Sequence, residues 1–143
     1  VVKRVRVNNG GEQMKLIVRI PPSVNHSHVN VRAGRRLMRV RSEATKQYMT
    51  ETGWLARKWM RESGWKVPGR DEKVVMRIWI FWPDRRRRDT DNTLKLLQDS
   101  LTGILWEDDR QVLPRVMDYE VDRENPRIEI ELEVKRRELK DGA

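Results

Sequence analysis

KVVMRIWIFW, residues 73–82, decides the architecture. Val74, Met76, Ile78, Ile80 and Trp82 alternate with Val75, Arg77, Trp79 and Phe81. Both faces are largely apolar, which predicts an interior strand covered on two sides. Pro83 ends it, since proline removes a ladder donor. Downstream, Leu94, Leu97, Leu101 and Ile104 recur at helical spacing, so a helix is expected over 92–102 with Gly103 as its stop. Upstream, Ser42 is the expected N-cap of a helix reaching Ser63. Its stripe is Tyr48, Leu55 and Trp59, flanked by Met49, Ala56 and Met60, and Gly64 is its stop. Gly53 weakens that helix by about 1 kcal/mol relative to Ala. Further strands are expected over 15–20, 111–121 and 127–134, with Pro114 holding the second of these to an edge or a bulge. In 127–134 Ile128, Ile130, Leu132 and Val134 face the core, while Glu129, Glu131 and Glu133 face water or basic neighbours. Residues 21–42 read as a polar loop. The order predicts an α+β fold: a small mixed sheet with helices mainly on one face.

A chain of 143 residues fits a single domain. Residues 14–134 form that domain; 1–13 read as a basic, disordered arm or, from the alternation of Val5 and Val7 with basic residues, a short edge strand. Residues 135–143 read as a frayed charged tail. Gly10-Gly11-Glu12 resembles a translated ribosome-binding site, which makes Met14 the expected natural start. Lys and Arg number 31 against 22 acidic residues, a net charge of +9. That excess favours a polyanionic partner, nucleic acid before membrane. The absence of Cys excludes disulfides, thiolate metal sites and thiol nucleophiles. No apolar run reaches the roughly 18 residues of a spanning helix, and no signal peptide is visible at the N-terminus. The expected setting is the cytoplasm, without a membrane partner.

Chemistry concentrates in PDRRRRDTDNTLKLLQDSLTGILWEDD, residues 83–109. Four arginines, Arg85, Arg86, Arg87 and Arg88, precede Asp89 and Asp91. Lys95 lies one turn beyond Asp91, and Asp108 and Asp109 follow the helix. Arginines attract phosphate, whereas carboxylates repel it unless a cation lies between them. Mg²⁺ takes one or two carboxylates together with phosphate oxygens. Carboxylates inside a basic groove are therefore what metal-assisted phosphodiester cleavage requires, and Lys95 is placed to neutralise charge developing at the phosphorus centre. Bland readings compete for each residue. Asp91 alone reads as an N-cap, Lys95 and Asp99 as an i,i+4 pair, and the arginines as a solvated basic loop. His26 and His28 lack a third ligand, and the Trp and Met residues sit at core spacing. The conjunction is more specific than any of its parts.

PDRRRRDTDN, a Lys six positions after the first Asp of the pair, and a terminal DD together closely resemble the RusA family of Holliday-junction resolvases, small endonucleases of bacteria and prophages. The resemblance includes IPPSVN and the Ser-capped helix and runs to about Val134. It implies a homodimer that binds four-way junction DNA and nicks two opposed strands with Mg²⁺, in recombination and repair, without a small-molecule cofactor. It implies Asp89, Asp91 and Asp109 as catalytic and metal-binding carboxylates and Lys95 as the essential lysine. Asn92 and Arg88 match residues linked to junction binding or activity. GILWEDD is one residue shorter than the family pattern, which leaves Asp108 beside Asp109 as a candidate third ligand. The expected DNA contacts are Arg85, Arg86, Arg87, Arg88 and Asn92, with Arg35, Arg36 and Arg39 from the basic stretch upstream.

Two other functions stay open on the residues themselves: a non-catalytic architectural DNA-binding protein, and a nuclease for another branched substrate. A dimer is expected on independent grounds. With helices on one face, Val75, Trp79 and Phe81 need another cover, which a second copy would supply.

Overall fold

The computed structural model describes residues 3–6, 12–23 and 28–135. Its chain order is β1 (Lys3–Arg6), β2 (Glu12–Val18), β3 (His28–Ala33), β4 (Arg36–Arg41), α1 (Glu43–Ser63), β5 (Lys73–Trp82), α2 (Thr90–Leu101), β6 (Val112–Val121) and β7 (Arg127–Lys135). Five strands form one sheet in the order β1-β2-β7-β5-β6, and β3 and β4 form a separate hairpin. The fold is mixed α+β, as expected.

β5 occupies its expected residues and lies inside the sheet, antiparallel to β7 and parallel to β6. The parallel pair is joined across the sheet by α2. β6 is an edge strand, and its register slips by one residue at Met117, so Pro114 sits on a strand that is both edge and bulged. The helices cover one face. Val74, Met76, Ile78 and Ile80 of β5 pack with Ile128, Ile130 and Leu132 of β7 against Trp59, Leu97, Leu101 and Trp106. All but Trp59 and Leu132 are wholly inaccessible, and those two nearly so. Trp54 departs from the core reading of the tryptophans: it is exposed on α1 beside Lys58.

α1 matches its expected bounds because both ends are capped. The Ser42 hydroxyl accepts from the Thr45 amide, and Gly64 takes φ 75°, donating its amide to Met60 O at 3.0 Å. Gly53 has a packing reason. A Cβ there would lie 3.0 Å from Ile104 Cδ1, so the glycine lets the segment after α2 approach α1 closely.

The other face of the sheet differs from expectation. No second copy is needed to explain Trp79 and Phe81, because cations of the same chain lie over them. Lys15 Nζ sits 3.7 Å from the centre of the Trp79 ring and 3.5 Å from Glu129 Oε1. Arg127 stacks 3.8 Å from the Phe81 ring and pairs with Glu129 and Asp122 at 2.8 and 2.9 Å. Arg77 bridges Glu131 and Glu133 at 3.3 and 2.8 Å. The ammonium of Lys15 and the guanidinium of Arg127 lie over the ring faces and meet Glu129 of β7 as well. Glu129 and Glu131 are consequently buried.

The loop expected over 21–42 is corrected to a hairpin over 28–41. Ala33 pairs with Arg36, leaving a two-residue turn in which Gly34 takes φ 62° and Arg35 stays at negative φ, as a type II′ turn requires. By register Val29, Val31, Met38 and Val40 share one face, and Arg32, Arg39 and Arg41 the other. Within residues 1–13, β1 adds antiparallel to β2 as an edge strand. Val7 and the tail from 136 lie outside the described residues. Among the described residues no helix is long and apolar enough to cross a membrane.

Candidate active site

The loop leaving β5 is folded on itself. Asp84 accepts from the Arg86 amide at 2.9 Å and pairs with Arg88 at 2.6 Å. The amide first, then Arg88, holds the Asp84 carboxyl below the usual carboxylate range. Arg88 also donates to Asp84 O and Arg86 O and lies 4.9 Å from the Trp82 ring. Arg88 is therefore turned inward, and Arg85, Arg86 and Arg87 are exposed.

α2 begins at Thr90, two residues before the expected start, because Asp89 supplies the cap. Its carboxylate accepts from the Asn92 amide at 3.3 Å and from Asn92 Nδ2 at 2.5 Å. Asp91, the residue for which a capping role competes on sequence, sits in the first turn instead. There its carboxylate interacts favourably with the helix dipole.

A stripe of α2 faces a cleft of about 400 Å³ lined by Asp91, Leu94, Lys95, Gln98, Asp99, Asp109 and Pro114. Asp91 and Lys95 are exposed, and neither has an ion-pair partner among the described residues. The competing Lys95–Asp99 pair does not form; Asp99 lies 3.5 Å from Arg41 Nη2 at the root of the hairpin. Asp89 lines a second cleft of about 380 Å³ with Ile20, Ser23, Trp82, Arg87, Arg88 and Asn92. The structure thus brings Asp91, Lys95 and Asp109 to one cleft and turns Asp89 to another. Arg35, Arg36 and Arg39 lie apart on the exposed hairpin.

Asp108 and Asp109 are separated by their roles in a short 3-10 turn, Asp109–Gln111. Asp108 caps the turn, accepting from the Arg110 amide at 3.0 Å. That hydrogen bond, followed by the neighbouring Asp109 side chain, lowers the Asp108 carboxyl below its ordinary value. Asp109 is the one of the two that lines the cleft. Sequence reading missed Gln111, which is buried beneath this turn, and the Arg41–Asp99 link. Gln111 is neutral, so no charge signal points to it.

No group of three or more His, Asp or Glu stands ready to hold a metal ion among the described residues. The donor chemistry nonetheless fits Mg²⁺. This ion takes one or two carboxylates and fills its octahedron with water and phosphate oxygens rather than with a protein cage. Asp91 and Asp109 supply such a pair in an open, solvated cleft. The family model of endodeoxyribonuclease RusA matches residues 19–133, which span the hairpin, both helices and both clefts. No curated protein matches the chain.

Proposed function

Since the chain belongs to the RusA family of endodeoxyribonucleases, we propose that it is a Mg²⁺-dependent enzyme resolving four-way DNA junctions by paired, symmetric nicks. It would act as a homodimer, in recombination and repair, in the cytoplasm, with residues 14–134 as the nuclease domain. The observation carrying this reading is the convergence of Asp91, Lys95 and Asp109 on one cleft, with Asp91 and Lys95 in no ion pair among the described residues, on a chain of net charge +9. A DNA-binding surface gains nothing from unpaired carboxylates facing phosphate; a cation site does.

In this reading Asp91 and Asp109 hold the cation. Asp89, which lines the neighbouring cleft, would complete the carboxylate set. Bound Mg²⁺ supplies polarisation of the phosphate and a nucleophilic water. Lys95 offsets negative charge on the phosphate as it reacts. Exposed Arg85, Arg86 and Arg87, with Arg35, Arg36 and Arg39 of the hairpin, hold the flanking backbone, and Arg88 and Asn92 keep the loop and helix start in register.

One carboxylate cluster per chain makes one nick, and a junction has approximate two-fold symmetry, so resolution calls for two chains. A plasmid extruding a cruciform tests the whole proposal. Wild-type protein with Mg²⁺ should linearise it and leave linear duplex intact. Mixed dimers carrying one Asp91→Asn chain should give only an open circle. Tight junction binding without any nicking would favour the architectural function instead, and paired nicking by a sedimenting monomer would refute the dimer.

The arginines make a separate, salt-dependent prediction. Each lost phosphate contact lowers the slope of log affinity against log salt by about 0.9 on duplex DNA. Arg85→Ala combined with Arg87→Ala should thus flatten the slope by about 1.8. A titration showing the wild-type slope would mark the run as solvated surface.

A further inference from the structure

The geometry points to Gln111 as a positioning residue for Asp109, an inference that rests on the nuclease reading above. Gln111 is 4% exposed, and its amide is used at both ends. Oε1 accepts from the amides of Glu107 at 3.1 Å and Asp108 at 3.0 Å. Nε2 donates to Gly69 O at 2.7 Å and Glu72 O at 2.9 Å. A primary amide has two donors and two acceptor lone pairs, and this one fills all four.

The far end of the clamp is itself rigid. In the 69–72 turn the Glu72 amide donates to Gly69 O, and Glu72 Oε1 accepts from the Gly69 amide, both at 3.0 Å. Arg70 closes the outer side, 2.8 Å from Glu107 Oε2. The backbone just before Asp109 is therefore held to a loop that contributes nothing to the cleft itself. Asp109 is exposed, so packing does not fix its carboxylate; its aim is inherited from the turn.

The chemistry selects glutamine. Leu would take this partner from the Glu107 and Asp108 amides and from the Glu72 carbonyl, and would leave Gly69 O only the Glu72 amide. Glu would keep the acceptor half, lose both donors and add negative charge beside Asp108 and Asp109. Partners that orient a metal ligand commonly carry ten- to a hundredfold of metal affinity, and this is the effect assigned to Gln111.

The test uses Gln111→Leu and Gln111→Glu in the full chain, with Arg70→Ala as the control that removes only the outer ion pair. Three quantities are measured: Mn²⁺ affinity by calorimetry without DNA, the Mg²⁺ concentration for half-maximal nicking, and junction affinity. Both Gln111 variants should bind Mn²⁺ about tenfold more weakly and need about tenfold more Mg²⁺. Junction affinity should stay within about twofold, because no phosphate-binding arginine is touched, and Arg70→Ala should match wild type. If Gln111→Leu does not fold, Gln111→Glu, which keeps the bonds from Glu107 and Asp108, decides alone. Wild-type Mn²⁺ affinity and Mg²⁺ requirement in the folded variants would overturn the positioning role. A wild-type protein that never nicks junctions would overturn the nuclease reading instead.

Discussion

Asp91→Asn and Asp109→Asn should each abolish Mg²⁺-supported nicking while junction affinity is kept or raised. Both changes preserve shape and remove the charge that would hold the cation. Metal ions supply several kcal/mol of charge stabilisation, so losing one carboxylate ligand should slow nicking by about three decades, at 1.36 kcal/mol per decade. The fold should tolerate the change. Asp91 is exposed in the first turn of α2 and has no ion-pair partner among the described residues, so its loss removes only a dipole interaction of about 0.3–1 kcal/mol. Binding should hold or tighten, because one negative charge facing phosphate disappears. Asp89→Asn makes the sharper comparison. Asn caps a helix about as well as Asp, so the start of α2 survives and any loss of nicking belongs to the missing charge. Asp89→Ala also removes the cap, worth about 1 kcal/mol, and should show a lowered melting temperature. Nicking assays run beside binding assays on the same preparations separate the cases. A variant turning over at the wild-type rate would leave the site.

Much of this frame was legible in the residues, for identifiable reasons. β5 was readable to the residue because its double apolar alternation ends at Pro83, and α1 because Ser42 and Gly64 bracket it with complementary caps. The hairpin was not. Its apolar residues Val29, Val31 and Met38 stay about half exposed, so the segment lacks the burial that usually gives a strand its signature, and Gly34-Arg35 is a less recognisable turn than Asn-Gly. The sequence reading starts α2 two residues late because Asp91 suits a cap; the Asn92 hydrogen bonds place the cap at Asp89. The second sheet face misled for a different reason. Periodicity marks Trp79 and Phe81 as needing cover, yet it does not show that the cationic ends of Lys15 and Arg127, distant in sequence, lie over these rings. Within the site, Lys95 and the aspartates were visible as charged types at suggestive spacing. Gln111 carried only the local signal of a capping box with Asp108, because its other partners Gly69 and Glu72 become neighbours only in the folded chain.

Lys95→Ala should separate chemistry from stability. On sequence, Lys95 has two roles: partner of Asp99 one turn later, or cation facing the reacting phosphate. The structure assigns Asp99 to Arg41 and leaves Lys95 exposed in the cleft with Asp91 and Asp109. A helical ion pair would contribute at most about 0.5 kcal/mol, so the melting temperature of Lys95→Ala should barely move. Loss of a group aimed at charge developing in the transition state costs about 2.7–4 kcal/mol, a hundred- to thousandfold in rate, by analogy with a lost oxyanion donor. Single-turnover nicking at saturating junction should show that loss, while the dissociation constant shifts only by the one phosphate-attracting charge removed. Lys95→Arg sharpens the test. It keeps the charge, but a planar guanidinium on a longer stem does not reproduce a compact ammonium. Charge alone would be restored in binding and its salt slope, whereas a point-like role would leave the rate low. A rate within a few-fold of wild type in Lys95→Ala, with a clear drop in melting temperature, would return Lys95 to the helix surface and remove it from the chemistry.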